Sequence, residues 1–251
     1  MIPGGPLLLV SPHLDDAVFS CAALVERPEP IDVLTVASGA PDPPRQGWWD
    51  AQCGFASSAE SIPARLAEDD AAFAGTHHRR SHLGLLELQY QPERTRAEAE
   101  LLAERVREWV AANPGGIVAI PAGAGCSQRV TARWRRRLVR QHCSPPQHPD
   151  HVWVRDTALA ALMNGTALLY EEIPYLFGEP ADAEAERAAS RRGLRSEPLS
   201  VAVDPAQKAR RIAAYASQIA EISPSHGRLD DPRTLPAEER YWFLRRSTTS
   251  S

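Results

Sequence analysis

Leu7-Leu8-Leu9-Val10-Ser11-Pro12-His13-Leu14-Asp15-Asp16 is followed at intervals by Ala17, Val18, Cys21, Ala22, Leu24 and Val25. Four consecutive apolar residues predict a strand buried on both faces, and the spacing of the second group predicts an amphipathic helix. A strand that enters a helix through a short polar turn puts His13, Asp15 and Asp16 at its carboxyl end. In open α/β sheets ligands bind along that edge, and the first helical turn adds a positive dipole that favours carboxylates. One aspartate is enough to cap a helix. Two side by side, with a histidine three positions before the second, suit a cation that relieves their repulsion. His13 and Asp16 then share a metal while Asp15 stays free to take a proton. From this segment alone, a pair of capping aspartates beside an incidental loop histidine fits equally well.

Outward from this turn, strand-like and helix-like segments alternate. Ile31 to Ala37 reads as a second strand, followed by a loop with Pro41, Pro43, Pro44, Trp48 and Trp49. Pro63 to Gly75 reads as a helix with proline in its first turn and glycine past its end. A loop region over His77 to Glu87 leads to a helix over Arg94 to Ala112, with Leu101, Leu102, Val106, Trp109 and Val110 on one face. Ile117 to Ile120 is a buried strand, His151 to Met163 a helix, Ala167 to Tyr170 and Leu199 to Val203 strands, and Pro205 to Ile222 a final helix. The alternation predicts an α/β fold: a Rossmann-like, mostly parallel sheet with helices on both faces. No repeat or low-complexity linker divides it, so one domain is expected over residues 1–246, with a disordered tail at 247–251.

Composition narrows the partners. The 251 residues carry a formal net charge of -4, which offers no general attraction to nucleic acid or an anionic membrane. No apolar run approaches the roughly 20 residues that cross a bilayer. Met1 to Gly5 has neither the basic nor the apolar region of a secretory signal, so a cytoplasmic protein is expected. Cys21, Cys53, Cys126 and Cys143 form no Cys-x-x-Cys pair, which argues against a thiolate zinc site or a disulfide framework. Among the 28 Lys and Arg residues only Lys208 is a lysine, an association with high-GC bacterial coding. Oligomeric state is left open.

A second constellation, Gln147-His148-Pro149-Asp150-His151, lies at another boundary between loop and helix, downstream of the Ile117 to Ile120 strand. The proline fixes the turn, so His148 and His151 can face one pocket. On its own the pair fits polar loop residues as well as ligands; taken with His13 and Asp16 it points to a metal site, because a catalytic zinc needs three protein ligands and one open position for water. Both segments resemble the signature motifs of the LmbE-like, or PIG-L, family of metal-dependent N-acetylglucosamine deacetylases. Supporting patterns fall in family order: Trp49-Asp50, Cys53-Gly54-Phe55, Arg65 with Glu68, Leu88-Gln89-Tyr90, Tyr170 to Tyr175, Tyr215 to Gln218 and Tyr241-Trp242.

The resemblance implies the LmbE-like three-layer sandwich, with His13, Asp16 and His151 as zinc ligands and Asp15 as general base. It implies that His148 stabilises the oxyanion or, when cationic, protonates the departing amine, and that Asp150 orients His148. Arg65 and Glu87 correspond to sugar-binding positions, Glu87 standing where relatives often carry aspartate. The expected substrate is an N-acylglucosamine unit in a larger glycoconjugate, a secondary-metabolite or cofactor precursor. A catalytically inactive sugar-binding protein and an amidase acting on a thiol-cofactor conjugate are the alternatives. Histidine and carboxylate ligands suit iron(II) as well as zinc. A nucleotide-binding Rossmann enzyme is disfavoured because Ser11-Pro12-His13 stands where a glycine-rich phosphate loop belongs.

Two departures from the family pattern stand out. Pro146 occupies a position where some relatives carry a tyrosine that polarises the substrate carbonyl. An Arg-rich insertion at about 127–143 holds Arg129, Arg133, Arg135, Arg136, Arg137 and Arg140, with Val130, Trp134 and Leu138 recurring every four residues. That spacing predicts an amphipathic helix near the pocket mouth, either a solvated basic surface or a lid whose arginines meet substrate anions. Trp48 and Trp49 suit either sugar stacking or anchoring of their own loop.

Overall fold

The computed structural model describes residues 2–123, 148–162, 165–174 and 182–246. The Arg-rich insertion, Pro146 and the tail at 247–251 lie outside them. Strands β1 (Leu7–Ser11), β2 (Asp32–Ala37), β3 (Arg79–Leu85), β4 (Ile117–Pro121), β5 (Thr166–Tyr170), β6 (Leu194–Ala202) and β7 (Glu238–Arg246) form one sheet in the order β3-β2-β1-β4-β5-β7-β6. β1 is central and parallel to both neighbours: Leu9 lies opposite Val33 on one side and Ala119 on the other. The chain leaves β1 toward β2 in one direction and later places β4 on the other side. The carboxyl ends of β1 and β4 therefore flank a topological switch point, where ligands bind in such sheets. β7 runs antiparallel to β5 and β6, which makes the sheet mixed at that end.

Side chains alternate along β1, so its apolar run feeds two cores. Leu8 and Val10 join Val36, Leu102, Val106, Val118, Ile120 and Val154 on one face. Leu7 and Leu9 join Phe19, Leu24, Val33, Leu168, Ile212 and Tyr215 on the other. Helices α1 (Asp16–Ser20), α2 (Ala22–Val25), α3 (Trp48–Gln52), α4 (Ser58–Ala72), α5 (Arg96–Ala112), α6 (Pro149–Ala161), α7 (Asp182–Ser190), α8 (Pro205–Ile212) and α9 (Ala216–His226) accompany the sheet. α5 and α6 cover the first face; α1, α2 and α8 cover the second.

Several expectations shift. α4 starts at Ser58, so Pro63 lies inside the helix rather than in its first turn. It leaves the Ala59 carbonyl without its helical N–H partner. The expected loop over His77 to Glu87 contains β3, whose Arg79, Ser81 and His82 are exposed on the sheet edge. Edge strands carry charge to discourage further pairing, which erases the apolar alternation that betrays a strand. The expected final helix is two, α8 and α9, because Tyr215 turns inward between them. Its hydroxyl donates to the Leu14 carbonyl at 3.2 Å and to Asp69 Oδ1 at 2.8 Å. α7 and β7 were not anticipated.

The sole lysine is fully buried. Lys208 Nζ donates to Glu239 Oε1 at 2.7 Å, and the same carboxylate accepts the amides of Ala22 and Ala23 at 2.7 and 2.9 Å and the Tyr241 hydroxyl at 2.6 Å. The cluster pins the start of α2 to β7 and α8. No helix among the described residues is long and apolar enough to cross a membrane.

Candidate metal centre

The turn after β1 is capped by Ser11. Its hydroxyl accepts the Ala17 amide at 3.0 Å and donates to the His13 carbonyl at 2.6 Å. Asp15 occupies the N-cap position of α1 without a side-chain capping bond. The reading of Asp15 as a helix cap is thereby removed, and both carboxylates are available to the pocket.

Asp16 Oδ2 accepts the main-chain amide of His13 at 2.9 Å and faces two imidazoles, His13 Nδ1 at 3.1 Å and His151 Nε2 at 3.3 Å. Each ring is engaged on its far nitrogen by another carboxylate. His13 Nε2 lies 3.1 Å from Asp150 Oδ2, and His151 Nδ1 lies 3.3 Å from Glu172 Oε1. A carboxylate on the far nitrogen draws the ring proton there and leaves the near nitrogen a lone pair. Three lone-pair atoms, His13 Nδ1, Asp16 Oδ2 and His151 Nε2, then converge, an arrangement that needs positive charge between them. Two protonated rings meet that need, and so does a cation. Two donors on one tetrahedral zinc sit about 3.4 Å apart, from bonds of about 2.1 Å, so the observed separations fit the group.

The electrostatics agree. Burial disfavours a charged His13, yet its hydrogen bonds to Asp150 and Asp16 raise its pKa well above the ordinary histidine value. For His151, burial is likewise outweighed by Asp16 and Glu172, which push it up to about 9. Asp16 is raised by burial but held well below the usual carboxylate range by His151 and His13. Its neighbour Asp15 moves the other way: burial and the Asp16 charge push it up to about 6, against the pull of Arg65 and His13. His148 falls to about 2 through burial and the cationic His151 and His13, and so stands as a neutral imidazole. His13, His148 and His151 also form a possible three-histidine grouping, with ring nitrogens within 4.8 Å of one another. Asp16 Oδ2, 3.1 and 3.3 Å from nitrogens of two of these rings, could supply the negative charge a divalent ion requires.

His148 starts α6 as its N-cap residue, with Pro149 following. Its ring meets His13 edge-on at 5.1 Å and lies 4.7 Å from that of His151. Asp150 was expected to orient His148; the structure places its carboxylate on His13 instead. Its remaining bonds come from the Leu88 amide at 3.1 Å and Arg94 Nη2 at 2.7 Å. The difference is geometric: the first turn of α6 directs Asp150 across the pocket toward β1. Arg65 and Glu87 are brought together, but with each other, Arg65 Nη1 donating to Glu87 Oε1 at 2.5 Å. The pair is buried, and Arg65 acts electrostatically on Asp15. Gln89 extends this segment to the aromatic helix α3. Its Oε1 accepts the amides of Trp49 and Asp50 at 3.1 Å each, while its Nε2 donates to Glu87 at 2.7 Å. Trp49 is anchored by its indole N–H to Gln218 at 2.6 Å, whereas Trp48 is 60% exposed.

Glu172 and Arg94 were missed as site residues. Glu172 had a signal, an acidic pair directly after the buried strand β5, at the same sheet edge as His13. Arg94 had none, because a basic residue ahead of a helix is commonplace.

Neither a family model nor a curated protein matches the chain. Solved structures do. The zinc-inhibited form of the teicoplanin deacetylase Orf2 superposes with a TM-score of 0.71 at 22% identity, over 98% of this chain and 100% of that one. A deacetylase–teicoplanin complex matches with a TM-score of 0.68 at 24% identity, over 98% and 100%. The A40926 pseudoaglycone deacetylase Dbv21 gives 0.69 at 21% identity, over 97% and 98%. The chain thus has the fold of these deacetylases along nearly its whole length.

Proposed function

We propose that the chain is a metal-dependent N-deacylase of the LmbE-like, or PIG-L, type, removing an acetyl or longer acyl group from the amine of an N-acylglucosamine unit in a larger glycoconjugate. The observation that carries this reading is the convergence of His13 Nδ1, Asp16 Oδ2 and His151 Nε2 at the switch point, with Asp15 beside them and uncommitted to capping. The shared fold with glycopeptide-antibiotic deacetylases supports the substrate class.

His13, Asp16 and His151 would hold the ion, zinc or iron(II) by donor type. A divalent ion there supplies Lewis acidity, lowering the pKa of water and polarising a carbonyl. Asp15 takes a proton from the attacking water as its oxygen bonds to the acyl carbon. His148 donates an N–H to the developing oxyanion. Asp15 then returns its proton to the nitrogen as the C–N bond breaks, leaving a free amino sugar and a carboxylic acid. The Arg65–Glu87 pair contributes to the sugar-facing wall next to Asp15.

The test is release of acetate or fatty acid from N-acylglucosaminyl glycopeptide pseudoaglycones and from small N-acetylglucosamine glycosides, with and without a chelator. Activity that is lost on chelation and restored by about one equivalent of zinc or iron(II) supports the reading. Absence of release from every substrate by a protein that has bound metal overturns it. One neighbour is a zinc-inhibited form, so the titration should extend past one equivalent; a rise followed by a fall is expected if zinc also inhibits here.

A further inference from the structure

Glu172 lies just past β5 and is fully buried. Its Oε1 accepts the Gly123 amide at 2.7 Å and faces His151 Nδ1 at 3.3 Å; its Oε2 is buried with no hydrogen-bond partner among the described residues. Among the described residues its ion-pair partner is His151. A main-chain N–H can be satisfied by an amide or hydroxyl oxygen, so capping Gly123 does not explain a carboxylate here. Burying one with an orphaned oxygen is costly unless positive charge lies nearby. Asp150, the matching group behind His13, differs in being neutralised from outside by Arg94.

We propose that Glu172 is the positioning residue for His151: as an acceptor at Nδ1 it fixes the tautomer that turns the Nε2 lone pair toward Asp16, and its charge offsets the cation held there. The inference rests on the metal-dependent reading above. Because Oε1 already accepts the Gly123 N–H, it meets His151 Nδ1 as an acceptor, and the ring proton belongs on Nδ1. Gly123 is suited to presenting that amide. Its φ is +84°, and a Cβ there would stand 2.4 Å from Arg155 Nη1, which donates to the Ala122 carbonyl at 2.7 Å. Glu172 therefore ties the end of β4 to the metal ligand on α6.

The experiment measures zinc dissociation constants of the whole protein by competition with a chromophoric chelator, for wild type, Glu172→Gln and Glu172→Ala, alongside the apo melting temperature of each. Glu172→Ala should bind zinc about 10–100-fold more weakly, the usual effect of losing an outer hydrogen-bond partner. Glu172→Gln, nearly isosteric and still offering an oxygen to Gly123, should also bind more weakly while its apo form melts close to wild type. Unchanged zinc affinity in the folded variants overturns the proposal. Nitrogen-15 imidazole shifts of zinc-loaded wild type give a second readout that needs no variant: His151 should show a protonated Nδ1 and a ligated Nε2, and the reverse pattern also overturns it. If wild type binds no zinc or iron(II), the metal-dependent reading itself fails, which is a distinct result.

Discussion

Asp15 and Asp16 are adjacent and both buried, yet their surroundings drive them to opposite ends of the carboxylate range. Burial penalises both charges, but Asp16 recovers the penalty from two imidazoles, whereas Asp15 feels the Asp16 charge and titrates up to about 6. This division was legible in the sequence, because the three-residue interval from His13 assigns Asp16 to the shared point and leaves Asp15 over. Asp15→Asn should lower kcat by about a hundredfold to ten-thousandfold, the range for a lost general base, and leave zinc affinity near wild type. Measured turnover within a few-fold of wild type in the loaded variant would contradict its role. The partner of Asp150 was not legible. Whether a side chain in the first turn of a helix meets His148 or His13 depends on how α6 crosses β1, which no local pattern records.

At the level of elements, apolar periodicity located β1, β2, β4, β5, α5 and α6, because each buries a strong stripe or run against the sheet. It failed where stripes are weak. β3 is polar because it is an edge, and α4 draws its position from buried bonds, among them Asp69 to Tyr215, rather than from an apolar face. Helix ends followed local chemistry. The start of α5 is a capping box, Thr95 Oγ1 accepting the Glu98 amide at 3.2 Å and Glu98 Oε2 accepting the Thr95 amide at 2.7 Å. Thr95→Ala should cost about 1 kcal/mol in urea unfolding, the usual loss when a side-chain cap is removed. Helix α3 is capped from a distance by Gln89, and it can be because its N-cap residue is Gly47. A Cβ at Gly47 would meet Gln89 Oε1 at 2.1 Å. Gly47→Ala should therefore displace Gln89 and loosen the Trp48–Trp49 helix, seen as faster amide exchange over residues 48–52.

At the scale of the whole molecule, two of the buried charge clusters among the described residues tie distant segments together. One is the candidate metal centre, which joins the turn after β1, α6 and Glu172, two residues past β5. Chelation of loaded protein should lower its melting temperature, because the ion binds the folded state; at about 100 times the dissociation constant the linkage is worth about 2.7 kcal/mol. The other is Lys208–Glu239, where Lys208→Met leaves an uncompensated buried carboxylate and should cost about 3–5 kcal/mol in chemical denaturation. Adding Glu239→Gln should recover part of that loss, which a double-mutant cycle would measure. A lone lysine in an arginine-rich chain looked like coding bias, and only burial revealed its partner. The sequence by itself determined the alternating architecture and the switch-point turn, and it pointed to His13, Asp15, Asp16, His148 and His151 as candidates, because these depend on short-range periodicity and donor chemistry. Only the tertiary structure decided what lies behind each imidazole, Asp150 with Arg94 at His13 and Glu172 with Gly123 at His151, and that Arg65 turns onto Glu87. Those contacts join residues far apart in the chain, and their direction is set by how packed elements cross.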